Sequence, residues 1–251
     1  MQYTKAKICA AYTNVENAYN QAVANLQQNQ QALANLLGAA LRMAFHDAVD
    51  LDLTKPDLMG ADGCIGDSQG SAGLVEPATS PIYTIMEPIY QANCDNINRA
   101  DFFVLFAKFV VEKSEPTNTI RLPFQYGRKE TQDCSAGIGR DPDAQDGFAA
   151  IKQAFITQMG LTYEDAGEEM EFNYFMIQLN FFLPFTSTVT LSGAHTIGHV
   201  HASGYNGHPG ADMAQDPTVN AWDLTPTKFD NGYYTQMLNI VRNIINLLTF
   251  Y

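Results

Sequence analysis

Positive charge and cysteine are both scarce in this sequence. Fourteen basic residues stand against twenty-seven acidic ones, a net charge of −13 at neutral pH. That balance repels nucleic acid and anionic membrane surfaces and excludes both as partners. The four cysteines, Cys9, Cys64, Cys94 and Cys134, include no C-x-x-C pair, which excludes the usual zinc and dithiol motifs. Their even, dispersed spacing suits two structural disulfides and hence a secreted protein, or else four buried thiols. No apolar run is long enough to cross a bilayer. The greasiest, FNYFMIQLNFFLPF (172–185), is broken by Asn173, Gln178, Asn180 and Pro184. No leader precedes the first helical pattern, so a secreted form is represented here by its mature chain. There is no N-x-S/T sequon, no internal repeat, no Gly/Ser linker and no sustained alternation of the β type.

What remains is helical. An apolar fraction of 46% over 251 residues is enough for a core with a cofactor-sized cavity. TNVENAYNQAVANLQQ opens with Thr13 and Asn14 as candidate caps and Glu16 three residues after Thr13. QQALANLLGAALRMAFHDAV (30–49) keeps apolar residues at helical spacing. Residues 51–73, rich in Gly and Asp, read as loop. Helical patterns resume in IYTIMEPIYQ and RADFFVLFAKFVVEK, and after a second long loop in GFAAIKQAFITQMG. The expected fold is mainly α with long loops and little or no β.

Two stretches carry chemistry. In LRMAFHDA (41–48) Arg42 and His46 lie four residues apart, on one face of a helix. This is either a surface arginine beside a core histidine or a site that handles a polar small molecule and moves a proton. In VTLSGAHTIGHVH (189–201) the small residues Ser192, Gly193 and Ala194 precede His195. Small neighbours let a large flat group approach the imidazole, as haem does at its axial histidine; a polar turn histidine is the alternative. His199 and His201 equally suit a surface metal site.

Taken together and in this order, RMAFHDA and LSGAHTIG resemble the distal and proximal signatures of the plant-type haem peroxidase superfamily. GADG (60–63), SAGL (71–74), EPI (87–89), RAD (99–101), YGR (126–128), DPDA (141–144) and FDNGYY (229–234) extend the likeness over nearly the whole chain. The resemblance implies one peroxidase domain over 1–251, with haem b held between a distal half (about 1–140) and a proximal half (about 141–251). It implies an enzyme that reduces hydrogen peroxide at the expense of a one-electron donor through a ferryl intermediate. His195 would bind the iron. His46 would take a proton from peroxide and return it to the leaving oxygen, work suited to an imidazole. Arg42 would stabilise the charge that develops as the O–O bond breaks, and Phe45 would close the pocket. The resemblance further implies a distal calcium at Asp47, Gly60 and Asp62, and a proximal calcium at Thr196, Asp223, Thr225, Lys228 (through its carbonyl) and Asp230, oxygen ligands that suit this ion. It also implies disulfides Cys9–Cys94 and Cys64–Cys134. Phe45 and the calcium loops resemble the secreted classes, whereas Trp222 and EPI resemble the intracellular one. Secretion is the expected localisation.

Several functional positions depart from the family pattern. Ser71 stands where the family orients the distal histidine with an asparagine, implying contact with His46 through water. Cys64 replaces a hydroxyl ligand in the distal calcium loop. Past Asp230 there is no acid to receive the proximal imidazole's N–H, which implies a less anionic ligand and slower peroxide cleavage. The chain ends early for this family, and 162–188 is longer than the usual connection, its aromatic run offering a buried helix or a surface for self-association. Trp222, the sole tryptophan, is either core filling or a sharer of the oxidising hole beneath the haem. HVHASGY carries no arginine of the kind ascorbate-using relatives place beyond the proximal histidine, and the first two helices offer no manganese-binding carboxylates, leaving a small phenolic or aromatic donor. The alternatives are a peroxidase-fold haem protein with a structural or assembly role, and an acidic calcium-binding protein without haem.

Overall fold

The computed structural model describes residues 3–57, 59–64, 80–131, 133–140, 147–160, 193–199, 221–236 and 238. Each of the three long helices begins at a side-chain oxygen that accepts an otherwise unpaired backbone amide. α1 (Lys5–Leu26) is capped by Thr4, which accepts from Lys7 N. α2 (Gln30–Val49) is capped by Asn29, which accepts from Ala32 N, and α4 (Arg99–Ser114) by Asn98, which accepts from Asp101 N. The first helix therefore starts well before the Thr13 box. Thr13 sits inside it, its hydroxyl donating back to the Cys9 carbonyl at 3.2 Å. α2 covers the span expected from its periodicity.

These helices share one core. α1 contributes Ile8, Ala11, Val15 and Tyr19, α2 contributes Leu33, Leu36, Leu37, Ala40 and Met43, and α4 contributes Phe102, Phe103, Phe106, Phe109 and neighbours. Tyr19 meets Phe106 edge-on at 5.4 Å, and Tyr12 meets Phe109 at 5.1 Å. α4 is apolar on nearly every side, as a central helix must be; its buried Lys108 and Glu112 form an ion pair with each other.

Between α2 and α4 the chain makes a π-helical turn, Ile82–Met86, and the short α3 (Glu87–Gln91). Pro88 has no N–H, and its ring would crowd the Thr84 carbonyl in a regular helix, so the wider turn relieves it. Glu87 and Arg99 form a two-pronged ion pair that fastens α3 to the start of α4. α5 (Gly147–Lys152) continues into a second π turn, Gln153–Gln158, which places Ala154 and Phe155 against Val49 and Phe45 at the end of α2. Among the described residues there is no strand, only isolated bridge residues such as the antiparallel pair His199–Ala221, and the fold is mainly α.

Cys64 and Cys134 are bonded, with Cα atoms 5.3 Å apart. The expected Cys9–Cys94 bridge is a correction: both cysteines are free, Cys9 exposed. The start of α1 reaches the 92–96 turn through Tyr3, whose hydroxyl donates to the Cys94 carbonyl at 3.1 Å, and Lys7, whose ammonium donates to the Asp95 carbonyl at 3.0 Å. Residues 3 and 7 lie one turn apart on the docked face. Cys9, two residues beyond Lys7, falls on another side of the helix.

Phe106 is fully buried. Phe106→Ala is expected to lower stability by about 3–5 kcal/mol, measured by denaturant unfolding followed by far-UV circular dichroism.

Candidate active site

α2 presents Arg42, Phe45 and His46 at i, i+3 and i+4, each half-buried. The Phe45 ring stands edge-on to His46 at 5.7 Å and to Phe155 at 6.2 Å, so the second π turn braces it from behind. The following residue, Asp47, turns away from that face into the 60–64 loop. Its Oδ1 accepts the amides of Gly63 (2.7 Å) and Cys64 (3.1 Å). Asp62 Oδ1 accepts the Cys64 amide as well, at 3.2 Å. The second oxygens, Asp47 Oδ2 and Asp62 Oδ2, are buried without a hydrogen-bond partner. Burial pushes the Asp47 carboxyl up to about 7, outweighing the two amides, and the neighbouring charges of Asp62 and Asp50 push the same way. Burial raises Asp62 too. Gly60 serves a different carboxylate: its amide donates to Asp50 Oδ1 at 2.8 Å. Ser71 lies outside the described residues, as does the 172–185 segment.

His195 lies on a 3-10 turn, Gly193–Thr196, with its imidazole exposed. Two aromatic rings support it. Trp222 meets it edge-on at 4.5 Å, and Tyr233 stacks on it at 5.5 Å with 26° between the planes. Burial raises the Tyr233 hydroxyl above the usual phenol range. Tyr233 was legible only as part of FDNGYY; no periodicity ties it to a histidine 38 positions earlier.

Thr196, next to His195, is buried, and its hydroxyl donates to Asp223 Oδ2 at 2.6 Å. The same oxygen lies 3.2 Å from Asp230 Oδ1 and 3.4 Å from the Lys228 carbonyl. Thr225 Oγ1 is 3.0 Å from Asp230 Oδ2 and 3.3 Å from Asp223 Oδ1. Two carboxylates, two hydroxyls and a carbonyl thus converge on one point. Gly232 closes this cradle: a Cβ there would stand 2.7 Å from Asp223 Oδ2, 2.8 Å from Asp230 Oδ1 and 3.0 Å from Thr225 Oγ1. Among the described residues no cluster of three or more His, Cys, Asp and Glu side chains could hold a metal; both acidic sites rely on carboxylate pairs.

The segment carrying His195 is joined to α2 by backbone contact. A Cβ on Gly38 would lie 2.9 Å from Gly198 Cα. Gly198, at φ +89°, donates its amide to the Pro226 carbonyl at 2.8 Å. Ile197 enters the main core, and the Phe229 amide reaches the Ser114 carbonyl at the end of α4. Gly38, Arg42 and Phe45 share a helix face, and it is this face that meets the segment ending in Gly198. A flat iron-bearing group suits these residues: His195 is exposed and flanked by small Gly193, where a Cβ would stand 3.1 Å from the Tyr234 hydroxyl.

The family model for peroxidases matches residues 17–166. The chain is 29% identical over 236 residues to the rice (Oryza sativa subsp. indica) protein "L-ascorbate peroxidase 1, cytosolic", covering 91% of this chain and 77% of that one. It is 28% identical over 230 residues to the japonica rice "Probable L-ascorbate peroxidase 4, peroxisomal", covering 89% and 64%. With Arabidopsis thaliana "L-ascorbate peroxidase 3" it shares 27% over 200 residues, covering 79% and 55%. The expectation of secretion is corrected by these likenesses, because the rice relatives are named as cytosolic and peroxisomal proteins. One of the two disulfides behind that expectation is also unformed. The chain belongs to the peroxidase family, within the plant-type haem peroxidases, and is a haem peroxidase enzyme.

Proposed function

We propose that this peroxidase reduces hydrogen peroxide between His46 and Arg42 on one side and His195 on the other, with electrons drawn singly from a small donor. The observation that carries the reading is the Gly38–Gly198 contact, which turns the Arg42–Phe45–His46 face of α2 toward the segment bearing an exposed, ring-braced His195. The two sides are read as the distal and proximal halves of a single domain, about 1–140 and 141–251.

His195 would hold the iron of haem b through its imidazole, and Trp222 and Tyr233 would restrict that ring's rotation. When bound, haem would supply the redox chemistry that takes up two oxidising equivalents from peroxide. A ring nitrogen of His46 removes a proton from one peroxide oxygen and returns it to the other, which leaves as water. The Arg42 guanidinium, charged throughout, stabilises the departing oxygen while the bond stretches. Phe45, fixed by Phe155, keeps solvent off the reacting atoms.

Calcium is proposed at both acidic sites. The five oxygen donors Thr196, Asp223, Thr225, Lys228 and Asp230 suit a hard cation, and Thr196, directly after His195, would let the ion fix the proximal turn. At the distal loop, Asp47 Oδ2 and Asp62 Oδ2 are buried acceptors that a cation would satisfy, with the Gly60 loop around them. Cys64, bonded to Cys134, does not serve as a ligand. The donor is read as phenolic or aromatic, since 199–205 lacks an arginine.

His46→Leu is expected to slow the reaction with peroxide by roughly 10²–10⁴-fold while haem remains bound, measured by stopped-flow absorbance. A parent-like rate would remove His46 from the mechanism. Steady-state turnover of guaiacol should exceed that of ascorbate in kcat/KM; the reverse order would exclude the phenolic reading. Stripped of divalent cations, the protein should lose stability as pH rises from about 4 to about 7, because protonated Asp47 favours the folded state below its raised pKa and ionised Asp47 opposes it above. Asp47→Asn or added calcium should flatten that decline, followed by Tm against pH. An unchanged slope with calcium would argue against the distal ion.

A further inference from the structure

We propose that Gly38 is a positioning residue for the peroxidase reaction, setting through its contact with Gly198 the distance at which Arg42, Phe45 and His46 stand from His195. The inference rests on the site assignment above. Helix propensity does not account for this glycine: it lies in the middle of α2 next to Ala39 and Ala40, and alanine is the better helix residue. Its missing side chain is used instead. A Cβ would meet Gly198 Cα at 2.9 Å, Gly198 N at 3.7 Å and the Ile197 carbonyl at 3.8 Å. All three are backbone atoms, so no rotamer change clears the space.

The opposing segment cannot easily retreat. Gly198 is held at φ +89° with its amide on the Pro226 carbonyl, Ile197 is buried in the main core, and Thr196 is bonded to Asp223. A methyl group at 38 must therefore push α2 and the 195–198 segment apart. Arg42 and His46 lie one and two turns along the same helix, about 6 and 12 Å from Gly38 at 1.5 Å per residue, so they move with it. The second helix face is committed to the α4 core through Leu36, Leu37, Ala40 and Met43, which makes tilting the available response. A shift of about 1 Å at reacting groups costs up to roughly 100-fold in rate.

The test uses haem-loaded Gly38→Ala, with Ala11→Gly as a control for lost stability, since Ala11 is buried in the core from α1 and touches no residue of the proposed site. Gly38→Ala should bind haem, react with peroxide about 10–100-fold more slowly, and show a changed haem absorption band and a changed cyanide affinity. Ala11→Gly, compared at equal loss of Tm, should change none of these. A Gly38→Ala protein with the parent's rate, band and cyanide affinity would overturn the proposal, and so would an equal loss in Ala11→Gly. If Gly38→Ala does not fold, Gly198→Ala presses on the same contact from the other side and is read by the same criteria. His46→Leu in the same assay separates the two ideas: a parent-like rate there refutes the site assignment, whereas a slow His46→Leu beside a normal Gly38→Ala refutes only the role of Gly38.

Discussion

α2 must satisfy four neighbours at fixed angles around one axis, and the molecule is arranged by that constraint. Leu36, Leu37, Ala40 and Met43 face α4 and the main core. Gly38 faces the backbone of Gly198. Phe45 faces Phe155 of the second π turn, with Arg42 and His46 beside it, and Asp47 and Asp50 receive the amides of the 60–64 loop. A helix turns 100° per residue, so these assignments are not independent. Moving the helix to suit one neighbour moves it for the other three. This coupling explains why the site tolerates a glycine in mid-helix and a buried carboxylate at its end.

The second consequence is rigidity beside His195. The 3-10 turn Gly193–Thr196 is short and intrinsically weak, yet each of its neighbours is fastened elsewhere: Thr196 to Asp223, Ile197 to the core, Gly198 to Pro226 and Gly38. The imidazole itself is steered by Trp222 and Tyr233.

Legibility in the sequence followed the range of the interactions. α2 was readable over its whole length because its apolar residues repeat locally and loops bound it, and Arg42, Phe45 and His46 came with it. The start of α1 was misplaced because Thr13 and Glu16 imitate a capping box, while the competing signal, Ile8 and Ala11 continuing the apolar face of Val15, lies upstream of it. The Cys9–Cys94 pairing failed for an angular reason, since being near in sequence to Tyr3 and Lys7 does not put Cys9 on their face. The residues of the proximal cradle came with the resemblance, which matches Asp223, Thr225, Lys228 and Asp230 as one short stretch of chain. Tyr233 beside His195 and Gly38 against Gly198 were not, because contacts across more than 30 residues leave no periodic trace.

The placement of charge separates two kinds of buried acid in a protein carrying −13. Asp101 has the Arg128 guanidinium and the Gly127 amide, Glu112 has Lys108, and half-buried Glu87 has Arg99. In each case a basic side chain offsets the cost of removing a carboxylate from water. At Asp47 with Asp62 and at Asp223 with Asp230, carboxylates are gathered in pairs, and among the described residues no lysine or arginine reaches them; they are offered amides and hydroxyls only. Hydroxyls and amides orient a carboxylate but do not neutralise it. Two such pairs, one including the residue directly after His46 and one bonded to Thr196, the residue directly after His195, are the places where a bound cation would do for the fold what arginine and lysine do elsewhere in it. A cation at each would steady the histidine beside it.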